Sequence, residues 1–460
     1  MTACQSQVGD FQAHLAREAS GTASGARWFT AARWLLIATL LAAPLAFGAV
    51  EPWAWATLYV LAYLLLVMWA VGSIRQGTLK IAWSPLYLPA ALFLLLGAVQ
   101  YFGHLTMDNY GTRTALIALV TDGIFFFVAC QLFTGCPTRV WRRLGLVVAV
   151  YAFLVGLFAI VQFFSSSGLI YWVVKSPGNT FGPYVNHNDY AGLMEMLIPL
   201  AAMYVLSRSE DDKGQLLLAF ALCVPAGSLL LSGSRGGFVS FLGEIAIFAA
   251  ILWKRGRNSR SRLLLGILGI TAAALLFFWM APKSVSSRLG SVANLVNAPE
   301  ATYGDRLHVA LDSLRIFRDH PLLGTGLGSF GSVFPPYQSF PTDQVYSYAH
   351  NDYVQALVET GAAGALILLG ALILFFRLAF RNLRERLERE TGWIRLGATL
   401  GVCGLLIHSF VDFNLHIPSN AAWFVVLAAI STTGSKTQSS RNGMGRLDLP
   451  AADEICGGTK

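Results

Sequence analysis

Apolar residues in this chain run in unbroken blocks instead of alternating with polar ones. The blocks recur from about residue 32 to residue 433 and are separated by short polar breaks. Each block holds about 18–25 residues, the length a helix needs to cross the hydrocarbon core of a bilayer. Backbone groups in that core must pair within the protein, which admits helices or closed barrels. Continuous apolarity selects helices. The pattern predicts an all-α, polytopic integral membrane protein of about twelve transmembrane helices. Spans are expected at roughly 32–50, 54–72, 85–102, 114–133, 144–164, 189–206, 215–231, 237–253, 263–281, 353–376, 396–411 and 420–433.

Three polar stretches interrupt this pattern. Residues 1–31 and 434–460 are rich in small and polar residues and read as disordered tails flanking a helical domain at 32–433. Residues 165–188 form a medium-length loop. Residues 282–351 form one connection too long to be an idle loop. Within it, Tyr303 to His320 has helical periodicity, with Leu307, Ala310, Leu311, Leu314 and Phe317 on one face. It is read as a helix lying at the membrane interface. The run from Gly324 to Gly331 looks like a phosphate-binding glycine loop. It follows a helix and not a strand, so a flexible turn is the expectation.

Composition agrees, with 55% hydrophobic and 13% charged residues, against about 25% charged in soluble domains. The net charge of +8 first suggests a polyanion such as nucleic acid. Its distribution removes that reading. With the first tail inside, all of the 33 Lys and Arg fall in inner segments except Arg113, Lys175, Arg235, Lys283, Arg288, Arg306, Arg315 and Arg318. That is the positive-inside bias, and it places both ends in the cytoplasm. Residues 34–50 also have the length of a signal-peptide core, but the long polar tail before them favours a retained span. The six cysteines lie in spans or on the inner side, with no metal-binding spacing.

One tetrapeptide occurs twice, as His187-Asn188-Asp189-Tyr190 and His350-Asn351-Asp352-Tyr353, each at the outer mouth of a span. Asn or Asp there is suited to capping the first helical turn. Glu195, Glu244 and Glu359 lie inside spans, at about 10 Å below the outer surface by helical rise. Carboxyls at that depth should face a polar cavity. The outward polar set is His187, Asn188, Asp189, Arg235, Arg306, Arg315, His350, Asn351, Asp352, His408, Asp412 and His416. Arginine's planar, permanent charge suits phosphate oxygens, and histidine is the usual base near neutral pH. Bland readings stand beside this one. Arg235 could anchor to headgroups, and Arg306 and Arg315 could be the solvated face of an interfacial helix. His187 and His350 could be simple helix-mouth hydrogen bonders, and His408 and Asp412 could satisfy each other one turn apart.

Five segments resemble the O-antigen ligase and O-antigen polymerase-like membrane glycosyltransferases. They begin at Gly178 (to Gly192), Gly233 (Gly-Ser-Arg-Gly-Gly), Asp305 (through His320 to Phe330), Ala349 (to Gly361) and His408 (to Asn420). The resemblance covers about 178–425 and includes the large loop. It implies a GT-C-like membrane fold with a large periplasmic loop. It also implies metal-independent, inverting transfer of a glycan from an undecaprenyl-diphosphate carrier to an acceptor hydroxyl, such as lipid A core or a growing glycan, without a cofactor. Carried over, Arg235 and Arg306 hold the diphosphate and His350 is the base. Arg315 is a weaker match, and His187, Asn188, Asp189, Asn351, Asp352, Glu359 and Asp412 are expected around the substrate. The expected place is the bacterial inner membrane. A transporter or flippase for a lipid-linked or charged solute is the alternative. It would use the three glutamates for ion coupling and should show inverted repeats, which the sequence lacks.

Overall fold

The computed structural model describes residues 25–77, 79–176, 178–208, 220–253, 303–341, 345–386 and 390–433. Regular structure within them is helical, apart from two isolated bridges in the connection after Ser165. The helices are α1 (Gly25–Leu45), α2 (Pro52–Arg75), α3 (Tyr87–Phe102), α4 (Asn109–Phe133), α5 (Thr138–Ser165), α6 (His187–Leu206) and α7 (Cys223–Ser232). They continue as α8 (Arg235–Trp253), α9 (Tyr303–Asp319), the single turn α10 (Phe330–Val333), α11 (Asp352–Arg386), α12 (Glu390–His408) and α13 (Pro418–Thr432). Seven of these are long and apolar enough to cross a membrane: α1, α2, α4, α5, α6, α8 and most of α11. Helices α3, α7 and α13 are apolar but shorter.

The chain is therefore a polytopic helical membrane protein. The span expected at 263–281, residues 215–219 of the one expected at 215–231, residues 282–302 of the large connection and most of both tails lie outside the described residues. The others fall on helices with shifted ends. α1 begins at Gly25, earlier than expected, and α12 ends at His408 instead of running to 411.

Helix α6 is the centre of the bundle. Its apolar window is 89% buried, against 22% for α11. Helix α12 packs along it, and α5, α7, α8 and α13 complete the surround. The α6–α12 approach depends on glycine. A Cβ at Gly401 would lie 2.9 Å from the backbone of Met196, and one at Gly397 2.7 Å from that of Leu200. This is the small-residue spacing that lets membrane helices approach closely. Helix α6 thus carries Glu195 into a fully packed environment.

At one end, the large connection folds back over the bundle. Val309 and Ile316 of α9 pack with Phe330, Val333, Phe334, Tyr346, Ala349 and Val358 into a small separate core. Helix α9 docks through a face that the sequence did not single out. Val309, Asp312, Ser313 and Ile316 are buried, whereas Leu307, Leu311 and Leu314 are exposed. The apolar stripe read from the sequence faces away from the bundle, consistent with a helix at the membrane interface, and the opposite face docks the connection onto α11.

The glycine run is not a flexible turn. Gly324, Gly326 and Gly328 all adopt positive φ and pack against neighbouring backbone and side chains. Backbone amides of Gly328 and Phe330 donate to the carboxylate of Glu359 at 2.8 and 3.3 Å. The loop is an anion-binding nest, and its anion is the protein's own glutamate. Gln100 of α3 closes the arrangement. Its amide donates to the carbonyls of Leu323 and Glu359 and its oxygen accepts from the Leu327 amide. Leaving such buried groups unpaired costs about 1–3 kcal/mol each. Gln100→Leu should therefore lower the thermal midpoint of the purified protein in detergent, and a midpoint equal to the parent's would show that these bonds do not hold the connection in place.

Candidate functional site

The two identical tetrapeptides open helices at the same end of the bundle, but in different registers. Helix α6 starts at His187 and is capped by Asn186, whose side chain accepts from the Asn188 amide at 2.9 Å. Helix α11 starts two residues later in the motif, at Asp352. Asn351 caps it by accepting from the amides of Tyr353 and Val354, both at 3.0 Å. The shift leaves His350 outside α11, in left-handed backbone at φ +49°. A non-glycine residue there is strained. The fixed cap on one side and the Ala349 amide bonded to Gln355 Oε1 on the other maintain it.

The loop after α12, Ser409 to Phe413, is the point where the polar residues converge. Asp412, fully buried, lies 3.6 Å from His350 Nδ1 and 3.9 Å from the Arg306 guanidinium. Arg306 also donates to the Val411 carbonyl at 2.6 Å. Asn351 donates to Phe410 O, and the Asp352 amide donates to Ser409 O. On the other side lies the start of α8. Its first turn is capped by Ser234, which accepts from the Gly237 amide. A Cβ at Gly236 would sit 2.6 Å from the His408 ring and 2.8 Å from Val411. The helix beginning at Arg235 therefore abuts the same loop that Arg306 and His350 reach. Burial alone would push the Asp412 carboxyl up. The neighbouring His350 and the charges of Arg306 and His408 outweigh it and hold Asp412 down at about 2.

A second histidine–carboxylate pair stands beside the first. Asp352 Oδ1 is 2.9 Å from His416 Nδ1, while its Oδ2 accepts from the Ser409 hydroxyl at 2.7 Å. His416 Nε2 faces the Gln355 amide nitrogen at 3.1 Å, and that amide also donates to Glu359. An Asp–His–Gln–Glu chain thus runs from the loop to the glycine nest. Phe413 separates the two histidines. Its ring is 5.0 Å from His350 and stacks on Tyr348 at 4.5 Å.

A cavity of about 1790 Å³ opens beside Phe413. Its body lies between apolar side chains of α2, α3, α4, α11 and α13, and its polar end carries Asn186, Asp189, Ser347, Tyr348, Asp352, Gln355 and His416. The expectation that the three glutamates face a cavity holds for Glu359 alone. Glu195 is instead bonded to His408 Nδ1 at 2.8 Å, both fully buried, and Glu244 packs against Gly404 of α12. A hydrogen bond to a side chain on a neighbouring helix accommodates Glu195. The expected His408–Asp412 side-chain pair is likewise replaced by separate partners for each.

Arg306, His350 and Asp412 are thus brought together, with Arg235 at the start of the adjoining helix. Asp189 and Asp352 line the cavity. Asn351 serves as a cap, Glu359 fills the nest, and Arg315 is an exposed residue paired with Asp312 at 3.0 Å. His187 donates its backbone amide to Asn179 O, and Asn188 is buried in the first turn of α6. Sequence reasoning placed His416 in the outward polar set without giving it a role, and did not single out Gln355 or Gln100. His416 had a detectable signal, four residues after Asp412 and before a proline that starts a helix. The glutamines had none, because their partners are backbone groups distant in sequence.

A family model described as O-antigen ligase matches residues 218–369. No curated protein matches the chain. The matched segment runs from α7 through the first half of α11, so it contains Arg235, Arg306, His350 and Asp352 but ends before Asp412 and His416.

Asp412 also sets an acid limit. Its folded value lies below the unfolded value of about 3.9. It therefore contributes stability above that unfolded value and loses the contribution as pH falls through about 2. The shift corresponds to about 2–3 kcal/mol. Asp412→Asn should reduce stability by that order at pH 7, and the gap to the parent should close as the pH drops below about 4. A gap that stays constant into acid would show that Asp412 is not held ionised.

Proposed function

From the O-antigen ligase-like segment at 218–369, we propose that this protein is a glycosyltransferase of the ligase or polymerase type. It moves a glycan from an undecaprenyl-diphosphate carrier to an acceptor hydroxyl, without a metal and with inversion. The reaction takes place on the periplasmic face of a bacterial inner membrane, with both termini cytoplasmic. The observation that carries the reading is the assembly of Arg306 and His350 on the buried Asp412, beside a cavity with an apolar body. Water-facing phosphate and proton chemistry therefore adjoins a space fitted to lipid.

In the reaction, the acceptor hydroxyl oxygen forms a bond to the anomeric carbon. The bond from that carbon to the diphosphate breaks, and its electron pair leaves with the diphosphate. Arg306 and Arg235 stabilise the charge that grows there, the kind of fixed complementarity that supplies much of enzymatic rate enhancement. His350 takes the hydroxyl proton. Asp412 beside its Nδ1 orients the ring and favours the imidazolium that forms, so Nε2 is the atom that receives the proton. Arg315, tied to Asp312 and exposed, supports at most an approach role.

The test is complementation of a strain lacking the gene. Arg306→Ala, Arg235→Ala and His350→Ala should each cut glycan transfer by about a hundredfold or more at normal protein levels. Full transfer by Arg306→Ala or His350→Ala would remove the assignment. The intermediate that accumulates in the deletion strain separates the two types. Carrier-linked polymer marks a ligase, and single carrier-linked repeats mark a polymerase.

A further inference from the structure

The start of α8, which carries Arg235, and the loop that carries Asp412 meet on one buried residue, His408. It is the last residue of α12 and is 1% exposed. Its backbone carbonyl accepts from the amides of Val411 and Asp412 at 2.9 and 3.1 Å, so it anchors that loop. Its ring lies against the first turn of α8. A Cβ on Gly236 would sit 2.6 Å from both Cδ2 and Nε2 of the imidazole, closer than side-chain carbons pack. Nothing larger than the glycine hydrogen fits between that turn and the ring.

The ring is held from its other edge. Its Nδ1 lies 2.8 Å from Oε1 of Glu195, which is fully buried on α6. A Cβ on Gly237 would lie 3.1 Å from that same Oε1. Gly236 and Gly237 thus rest on the two members of one imidazole–carboxylate pair. A buried pair of this kind is held in one geometry, because separating it strands a desolvated group. The chain before α8 gives little slack. Helix α7 ends at Ser232 and α8 begins at Arg235, and buried Ser234 between them caps α8 through the Gly237 amide at 3.1 Å. The contact continues along both helices, with Gly404 of α12 against Glu244 and Gly243 of α8 against Ile407.

We propose that the His408–Glu195 pair is a positioning element that sets how far Arg235 stands from the Asp412 loop. The ring of His408 fixes the start of α8, and the carbonyl of the same residue fixes the loop. One side chain therefore gauges the gap across which Arg235 and Arg306 hold a common anion. His408 and Glu195 are too deeply buried to touch that anion and act only through Arg235 and Asp412. The proposal rests on the diphosphate-holding role given to Arg235 above.

Calorimetric binding of inorganic diphosphate to the purified full-length chain in phosphatidylcholine nanodiscs tests this without catalysis. Gly236→Ala presses a methyl against the ring and should weaken binding about tenfold. Added to Arg235→Ala it should cost nothing further, since the arginine it displaces is gone. His408→Asn is the rescue. Its amide nitrogen stands where Nδ1 stood and can still donate to Glu195, while the Cδ2–Nε2 edge is removed. Gly236→Ala in that background should bind within about twofold of His408→Asn alone. A general folding defect predicts the reverse, namely losses that add to that of Arg235→Ala and no rescue. Either of those results would overturn the proposal, as would wild-type binding by Gly236→Ala. The His408 Nδ1 signal in ¹⁵N-histidine NMR, assigned by its loss in His408→Asn, is a readout independent of ligand and should move in Gly236→Ala and in Glu195→Gln. A wild type that binds no diphosphate counts against the phosphate role of Arg235. The positioning contact is then decided by the Nδ1 signal, which supports it if moved and removes it if unmoved.

Discussion

A buried carboxylate at the end of a membrane helix organises the polar end of this protein. Asp412 has left water, and an ionised carboxylate there is tolerated only with charged or hydrogen-bonded partners. Its partners are Arg306 from the large connection and His350 from the strained residue before α11. Each comes from a different part of the chain, so one desolvated charge fixes their relative position. The Val411 carbonyl and the capped starts of α8 and α11 hold the loop from the other directions. Without this convergence, the arginine and the histidine would be surface groups at unrelated helix mouths.

The same logic explains the glycine run. Its positive-φ residues form a nest that resembles a ligand site in sequence, yet the ligand is Glu359 from α11. That internal anion locks the connection onto the bundle and places Val309 and Ile316 over Val358. The membrane acids therefore do separate work. Glu359 closes a loop, Glu195 joins α6 to α12 through His408, and Asp189 faces a cavity.

Hydropathy made the helices legible, because the bilayer forces long continuous apolar blocks. The outward motifs were legible because they break that pattern at helix mouths. Three features were not. The docking face of α9 was not legible, because its exposed leucines carry a stronger pattern than the buried Val309 and Ile316. The glutamates read as three equivalent cavity residues, since their partners, a histidine and backbone amides, lie far off in sequence. The different registers of the two tetrapeptides were hidden as well. The residue that caps α6 precedes the repeat, whereas the one that caps α11 lies within it. Only the second copy therefore leaves its histidine in strained backbone beside Asp412.

The account stands on Asp412 acting through Arg306 and His350 as one unit. A double-mutant cycle on glycan transfer, pairing Asp412→Asn with His350→Ala and with Arg306→Ala, measures that directly. The account predicts that each double variant loses little more than its worse single variant, as expected for groups that work together. Losses that multiply across the pairs, as for independent sites, would contradict it.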